Sequence, residues 1–152
     1  VEGVNDKIKK NPSLLIKKND ILIQRGNIRE LVGVSAVIED EIENYIYPDL
    51  MMKIVCKSII LPKFLHCLLM SLEVRNYFRS KASGTSKSMP KINQPTVQNT
   101  LIPFIDDLNI QKKLIKKSIE KISKIKKLNK IVQNVKLEQE IENQILDKYL
   151  LD

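Results

Sequence analysis

The 152-residue sequence has only one histidine, two cysteines and four glycines, and it has no tryptophan. The two cysteines, Cys56 and Cys67, are too few for a disulfide framework, and both stand among apolar residues. We therefore expect reduced thiols in the core of a cytoplasmic protein. No apolar run approaches the length of a transmembrane helix, and no secretory signal opens the chain. Because the chain begins at Val1, we expect a fragment or a processed chain.

Motifs for catalysis are also missing. The Asn11-Pro12-Ser13-Leu14 segment lacks the aromatic residue with which adenine methyltransferases hold a flipped base, and no glycine-rich cofactor loop precedes it. The sequence contains no Walker loop, zinc motif or serine triad. His66 and Cys67 are adjacent in a predicted helix, where neighbours point about 100° apart, which favours ordinary structural roles over a metal site. We expect a binding protein without catalysis, cofactor or metal.

The balance of charge suggests what is bound. Lysine and arginine exceed the acids by eight charges, and the isoelectric point is near 9.4. A basic protein favours an anionic partner, and nucleic acid is the leading candidate.

Hydrophobic patterns predict a small α+β domain in the first 107 residues. Residues 1–20 are expected to be a weakly structured lead-in. Strand patterns occur at residues 21–24, at residues 31–38 with a bulge or close backbone approach at Gly33, and at residues 50–55. Short strands are also predicted around Val97 and at residues 101–102. One helix is predicted from Pro62 to Lys81.

Two loops of this domain, residues 25–30 and residues 82–94, combine cations with hydroxyl and amide groups. Such loops place phosphate-binding cations beside groups that read base edges, although a mobile surface linker is the alternative for the second loop. The candidate DNA-binding residues are Arg25, Asn27, Arg29, Lys81, Ser86, Lys87, Lys91, Asn93 and Gln94.

The tail, residues 108–152, is predicted to be one long helix with an apolar stripe. It contains no glycine or proline, and a helix over residues 111–151 is roughly 60 Å long, more than one small domain covers. We expect the early turns to face the chain's own domain and the later turns to face a partner. The candidate dimerisation residues are Ile125, Leu128, Val132, Val135, Ile141 and Ile145.

Charge along the tail favours one orientation of that partner. Residues 111–130 contain nine lysines and one acid, whereas residues 131–152 contain two lysines and five acids. An antiparallel copy places each half beside its complement, so we predict an antiparallel coiled coil. A solvated charged face is the alternative, because exposed ion pairs contribute only ~0–1 kcal/mol each.

The order of segments between residues 19 and 130 resembles the specificity subunit of type I restriction-modification enzymes. The residues that carry the resemblance are Asp20-Ile21-Leu22, Arg25 and Asn27 before Glu30-Leu31-Val32-Gly33 and Ser35, Pro62 and Tyr77, Ala82-Ser83-Gly84-Thr85, Ile92-Asn93-Gln94, and Ile102-Pro103 before Gln111-Lys112.

The resemblance implies the later part of a target recognition domain, which reads half of a bipartite DNA sequence, followed by a conserved helix that pairs antiparallel with a second one. The implied partners are double-stranded DNA, methyltransferase and restriction or translocase subunits, and a second copy or half-subunit. The chain itself is implied to do no chemistry. The alternative from another class is a basic helical adaptor that organises an assembly without reading sequence.

Overall fold

A computed structural model describes residues 11–84 and 89–150, and from residue 141 onward it describes only the side chain of Gln144. Within these residues a three-stranded sheet and a set of helices confirm the predicted α+β class. The elements are a 3₁₀ helix at Pro12–Leu14, strands β1 (Ile21–Gln24), β2 (Ser35–Val37) and β3 (Met51–Ile54), and helices α1 (Pro62–Leu69), α2 (Leu72–Lys81), α3 (Gln94–Gln98) and α4 (Leu108–Leu150).

The sheet is antiparallel, with β1 between β2 and β3. Ile21 and Ile23 of β1 are fully buried, and they alternate with partly buried neighbours as expected for a strand with one covered face. Ile23 lies opposite Ser35 of β2 and Met52 of β3. The predicted strand at residues 21–24 therefore forms the centre of the sheet.

Helices α1 and α2 complete the core. Leu65 and Leu69 of α1 join Val74 and Phe78 of α2 in one buried cluster with β1. Ile92 belongs to the same cluster although it lies outside any helix or strand. Burying these side chains removes apolar surface from water, which is the main favourable contribution to folding.

The predicted strand at residues 31–38 is wrong over its first half. Residues 28–34 form turns, in which the N–H groups of Leu31 and Val32 both donate to the carbonyl of Ile28. Gly33 has a positive φ of 76°, and a Cβ there would lie 2.8 Å from Cβ of Phe78. The close backbone approach predicted at Gly33 is therefore confirmed, and only β2 is a strand.

The predicted single helix from Pro62 to Lys81 is two helices. Met70 ends α1, and Ser71 has an extended backbone with ψ of 153°. The Ser71 hydroxyl accepts a hydrogen bond from the N–H of Val74, which is how serine caps the start of a helix. The first helix therefore ends at Leu69, and a second helix begins at Leu72.

The short strands predicted around Val97 and at residues 101–102 are also wrong. Val97 lies in α3, where Oδ1 of Asn93 accepts hydrogen bonds from both the N–H and the hydroxyl of Thr96. Residues 101–102 are outside any helix or strand. An asparagine cap followed by Pro95 in the first turn is a helix signal, and it outweighs the β-branched Thr96 and Val97 that follow.

The lead-in is more ordered than predicted where the structure describes it. Leu15 pairs with Ile46, and Ile16 is buried. Asn19 has a positive φ of 71°, and the carboxylate of Asp20 accepts a hydrogen bond from the N–H of Lys17. This turn directs the chain into β1. The other half of the predicted lead-in, residues 1–10, lies outside the described residues.

The long helix predicted for the tail is confirmed as α4, and Asp107 caps its start. Oδ1 of Asp107 accepts hydrogen bonds from the N–H groups of Asn109 and Ile110. The chain divides into two compact units between Ile115 and Lys116, so the first two turns of α4 belong to the first unit. The functional division at residue 107 stays a prediction. No described helix is long and apolar enough to cross a membrane.

Gln111 fixes the first turns of α4. Its side chain is fully buried, Oε1 accepts a hydrogen bond from the N–H of Leu61, and Nε2 donates to the carbonyls of Ile59 and Ile105. Buried backbone groups have no water to bind and need a hydrogen-bond partner inside the protein, and the Gln111 amide supplies one to each of these three groups. Gln111 therefore joins three segments of the first unit.

Replacing Gln111 by leucine is expected to lower the free energy of unfolding by about 3 kcal/mol, because three backbone groups lose their partner inside the protein. Chemical denaturation of the wild type and Q111L measures the change. Gln133 is an exposed glutamine of α4, and Q133L is the matched control with an expected change within about 0.5 kcal/mol. Equal changes in both variants would show that the Gln111 hydrogen bonds do not stabilise the fold.

Candidate nucleic-acid interface

The two loops predicted to bind DNA lie side by side. The backbone of Lys91 pairs with Gly26 on one side and Ser83 on the other. The N–H of Lys91 donates to the carbonyl of Ser83 at 2.9 Å, and the N–H of Ile92 donates to the carbonyl of Arg25 at 2.9 Å. We call residues 25–29, 81–84 and 89–94 the loop junction. Segments about 60 residues apart in sequence thus form one surface.

The cations of the loop junction are exposed. Arg25, Lys81 and Lys91 all have exposed side chains, and Nζ of Lys81 lies 6.0 Å from the centre of the Tyr77 ring. Arg29 is also exposed, but its guanidinium donates to the carbonyl of Arg79 at 2.7 Å. Arg29 therefore connects its loop to α2. Ser86 and Lys87, which were also predicted to contact DNA, lie outside the described residues.

The two asparagines of the loop junction shape the backbone. Oδ1 of Asn27 accepts a hydrogen bond from the N–H of Ile28, and Oδ1 of Asn93 caps α3. Gln94 starts α3 and is exposed. Substitution of either asparagine therefore changes loop structure as well as any contact that the side chain makes.

Arg75 is a buried cation that holds the turn at residues 28–34, and it was not predicted. It is 5% exposed, and its guanidinium donates to the carbonyls of Val32 and Glu30 at 2.5 and 2.6 Å. Burial, together with the nearby charge of Arg79, lowers the pKa of Arg75. The sequence signal was an arginine between Val74 and Phe78 on the apolar face of α2.

A groove of about 860 Å³ opens beside the loop junction. Met52 and Ile54 of β3 line it, and so does Val97 of α3. Arg25 and Gln94 extend the junction into this groove. The groove thus adds an apolar surface to the polar loop residues.

His66 pairs with Ser35, which fits the structural role predicted for it. Nδ1 of His66 and Oγ of Ser35 lie 2.9 Å apart and connect α1 to β2. Burial lowers the pKa of His66, and Glu39 opposes this effect to a smaller extent. Burial, aided by Asp20, raises the pKa of Cys56. Among the described residues, no group of three or more His, Cys, Asp or Glu is arranged to hold a metal ion.

The folded protein favours neutral His66. Below the ordinary histidine pKa of about 6.5, the unfolded chain therefore binds more protons than the folded protein does. Stability from this residue is therefore present above pH 6.5 and is lost as the pH falls through the lowered pKa. We expect the free energy of unfolding of the wild type to fall more between pH 7 and pH 5 than that of H66Q, which keeps a polar group but cannot titrate. Parallel pH profiles for the two proteins would contradict this prediction.

Comparison with known proteins identifies a relative of the chain. No family model matches the chain. The chain is 35% identical over 104 residues to the type I restriction enzyme HindI specificity subunit of Haemophilus influenzae. The match covers 66% of this chain and 21% of that subunit, so the chain spans about a fifth of its length. Nothing in this match favours the adaptor alternative. The chain is therefore similar over most of its length to a type I specificity subunit, and the resemblance predicted from its sequence is confirmed.

Proposed function

We propose that the chain is a sequence-specific DNA-recognition subunit, or half-subunit, of a type I restriction-modification system. In this role it directs partner methyltransferase and restriction subunits to a target site. The chain itself binds DNA and performs no catalysis; methylation and cleavage belong to the partner subunits.

The observation that carries this proposal is the loop junction. Residue types predict DNA contact by the two loops, and the Lys91 backbone pairing joins them into one surface. Exposed cations there stand beside groups able to read base edges, which is the combination that sequence-specific binding requires. The similarity to a specificity subunit supports the same function.

The lysines of α4 are the competing DNA surface. They are more numerous than the junction cations, so charge alone favours them. In the antiparallel pair proposed below, however, the acids of residues 131–152 lie beside these lysines and reduce their attraction for phosphate. We therefore propose that the loop junction makes the main DNA contact.

Two variants of equal charge distinguish these surfaces. The junction variant replaces Arg25, Lys81 and Lys91 by alanine, and the tail variant replaces the exposed Lys116, Lys127 and Lys130. Neither set includes the helix cap Asn93. Binding is measured over a salt series in the assembly with the methyltransferase subunits. The junction variant is expected to lose affinity for all sequences and to lower the salt slope by about three, because each phosphate contact contributes about one.

The tail variant is expected to bind nearly as the wild type does. If the tail variant loses the affinity and the salt slope while the junction variant keeps both, the main phosphate contacts belong to α4 and this part of the proposal is wrong.

We further propose that α4 pairs with an antiparallel copy of itself or a second half-subunit. Its apolar stripe over residues 119–137 is 46–60% exposed, which is unusual for a row of large aliphatic side chains. The stripe includes Ile125, Leu128, Val132 and Val135; Ile141 and Ile145, also predicted at this interface, have side chains outside the described set. Pairing buries the stripe and places the basic half beside the acidic half.

Cross-linking tests the orientation. In a background without Cys56 and Cys67, protein carrying S118C is mixed with protein carrying Q144C. An antiparallel pair centred near residue 131 brings the two positions together, so the mixture is expected to form a disulfide-linked dimer. Protein with S118C alone is the control. Efficient cross-linking of S118C to itself indicates a parallel pair, and the absence of any dimer in sedimentation of the full chain rules out self-association.

A further inference from the structure

Gln94 and Gln98 lie one turn apart on α3, and both side chains are exposed and line the groove beside the loop junction. Val97 lies between them in sequence and lines the same groove. Arg25 approaches from the other loop. Gln98 belongs to neither predicted loop, so the groove adds a residue to the candidate surface.

These side chains differ from the other polar groups nearby in having no internal partner. Within residues 11–84 and 89–150, the side chains of Arg25, Gln94 and Gln98 make no hydrogen bond. In contrast, Nζ of Lys53 in the same groove donates to the carbonyl of Leu15 at 2.7 Å, and Nε2 of Gln24 donates to the carbonyl of Gly26 at 2.7 Å. Lys53 and Gln24 therefore have hydrogen-bond partners within the protein, whereas the two α3 glutamines are available to a ligand.

The groove is lined by the cations Arg25 and Lys53 and by Asp49, and its two glutamines are neutral amides. A glutamine amide donates to and accepts from the same base, and its usual partner is N6 and N7 of adenine in the major groove. The apolar Val97 side chain matches the methyl group of the paired thymine.

The spacing of the glutamines suits successive bases. Residues four apart on a helix are separated by roughly 6 Å along its axis, whereas successive bases on one strand rise by about 3.4 Å. Two glutamines one turn apart therefore reach bases about two steps apart. Building on the DNA-binding function proposed above, we propose that Gln94 and Gln98 determine sequence specificity by reading two adenines of the target in the major groove.

The test uses the full chain in its assembly with the methyltransferase subunits. Selection from a random duplex library first defines the sequence preference of the wild type, and the preferences of Q94A, Q98A and Q98E are then compared with it. Q133A, which removes an exposed amide from α4, is the matched control. Each alanine variant is expected to lose about 5- to 150-fold discrimination for adenine at one position, with unchanged affinity for unrelated DNA. Q98E is expected to change that preference from adenine to cytosine, whose N4 amino group donates to a carboxylate.

The outcomes separate the two proposals. Loss of the preference for adenine at one position in each alanine variant, with the preference of Q133A unchanged, supports the reading of bases by α3. If the wild type selects a sequence and Q94A, Q98A and Q98E select the same one, the glutamines do not read bases, and recognition by the loop junction stands without them. If the wild type selects no sequence, the proposed function fails and this inference fails with it. Circular dichroism of each variant verifies that the exposed substitutions leave the fold intact.

Discussion

The backbone of Lys91 hydrogen-bonds to the backbone of Ser83, and the adjoining Ile92 hydrogen-bonds to Arg25. These main-chain contacts hold the end of β1, the end of α2 and the start of α3 in one place. Ile92 follows directly and inserts its side chain into the core, so the loops and the hydrophobic cluster stabilise each other. The candidate DNA surface depends on this local sheet-like pairing more than on any side-chain contact.

A surface built on main-chain hydrogen bonds leaves its side chains largely interchangeable. Substitution at positions 25, 91, 94 or 98 changes the groups presented to a ligand but removes none of the backbone bonds that set the loop path. Asn27 and Asn93 are exceptions, because their side chains form part of the loop structure. Such a division of roles suits a protein in which recognition has to change while the fold persists.

The sequence predicted elements with a strong local pattern. The short apolar run at residues 21–24 predicted β1, and the long apolar stripe without glycine or proline predicted α4. The loops were found because cations, hydroxyls and amides were concentrated there. The apolar run at residues 31–38 was misleading, because the carbonyls of Glu30 and Val32 are satisfied by Arg75 from α2, a contact 43 to 45 residues away. Likewise, the break at Ser71 depends on one cap and the α3 helix on Asn93, signals that are weaker than the periodicity around them. The pairing of the two loops through Lys91 is a tertiary contact that no local pattern encodes.

Arg75 places a positive charge inside the fold, against the turn that precedes β2. Within the described residues no carboxylate forms an ion pair with it, and its partners are two neutral carbonyls. Salt screens exposed charges strongly but buried charges much less. High ionic strength therefore weakens the attraction of the exposed cations for anions but leaves the buried Arg75 guanidinium and its hydrogen bonds to the turn nearly unchanged. The turn between β1 and β2 is thus held by a charge that salt in the solvent reaches poorly.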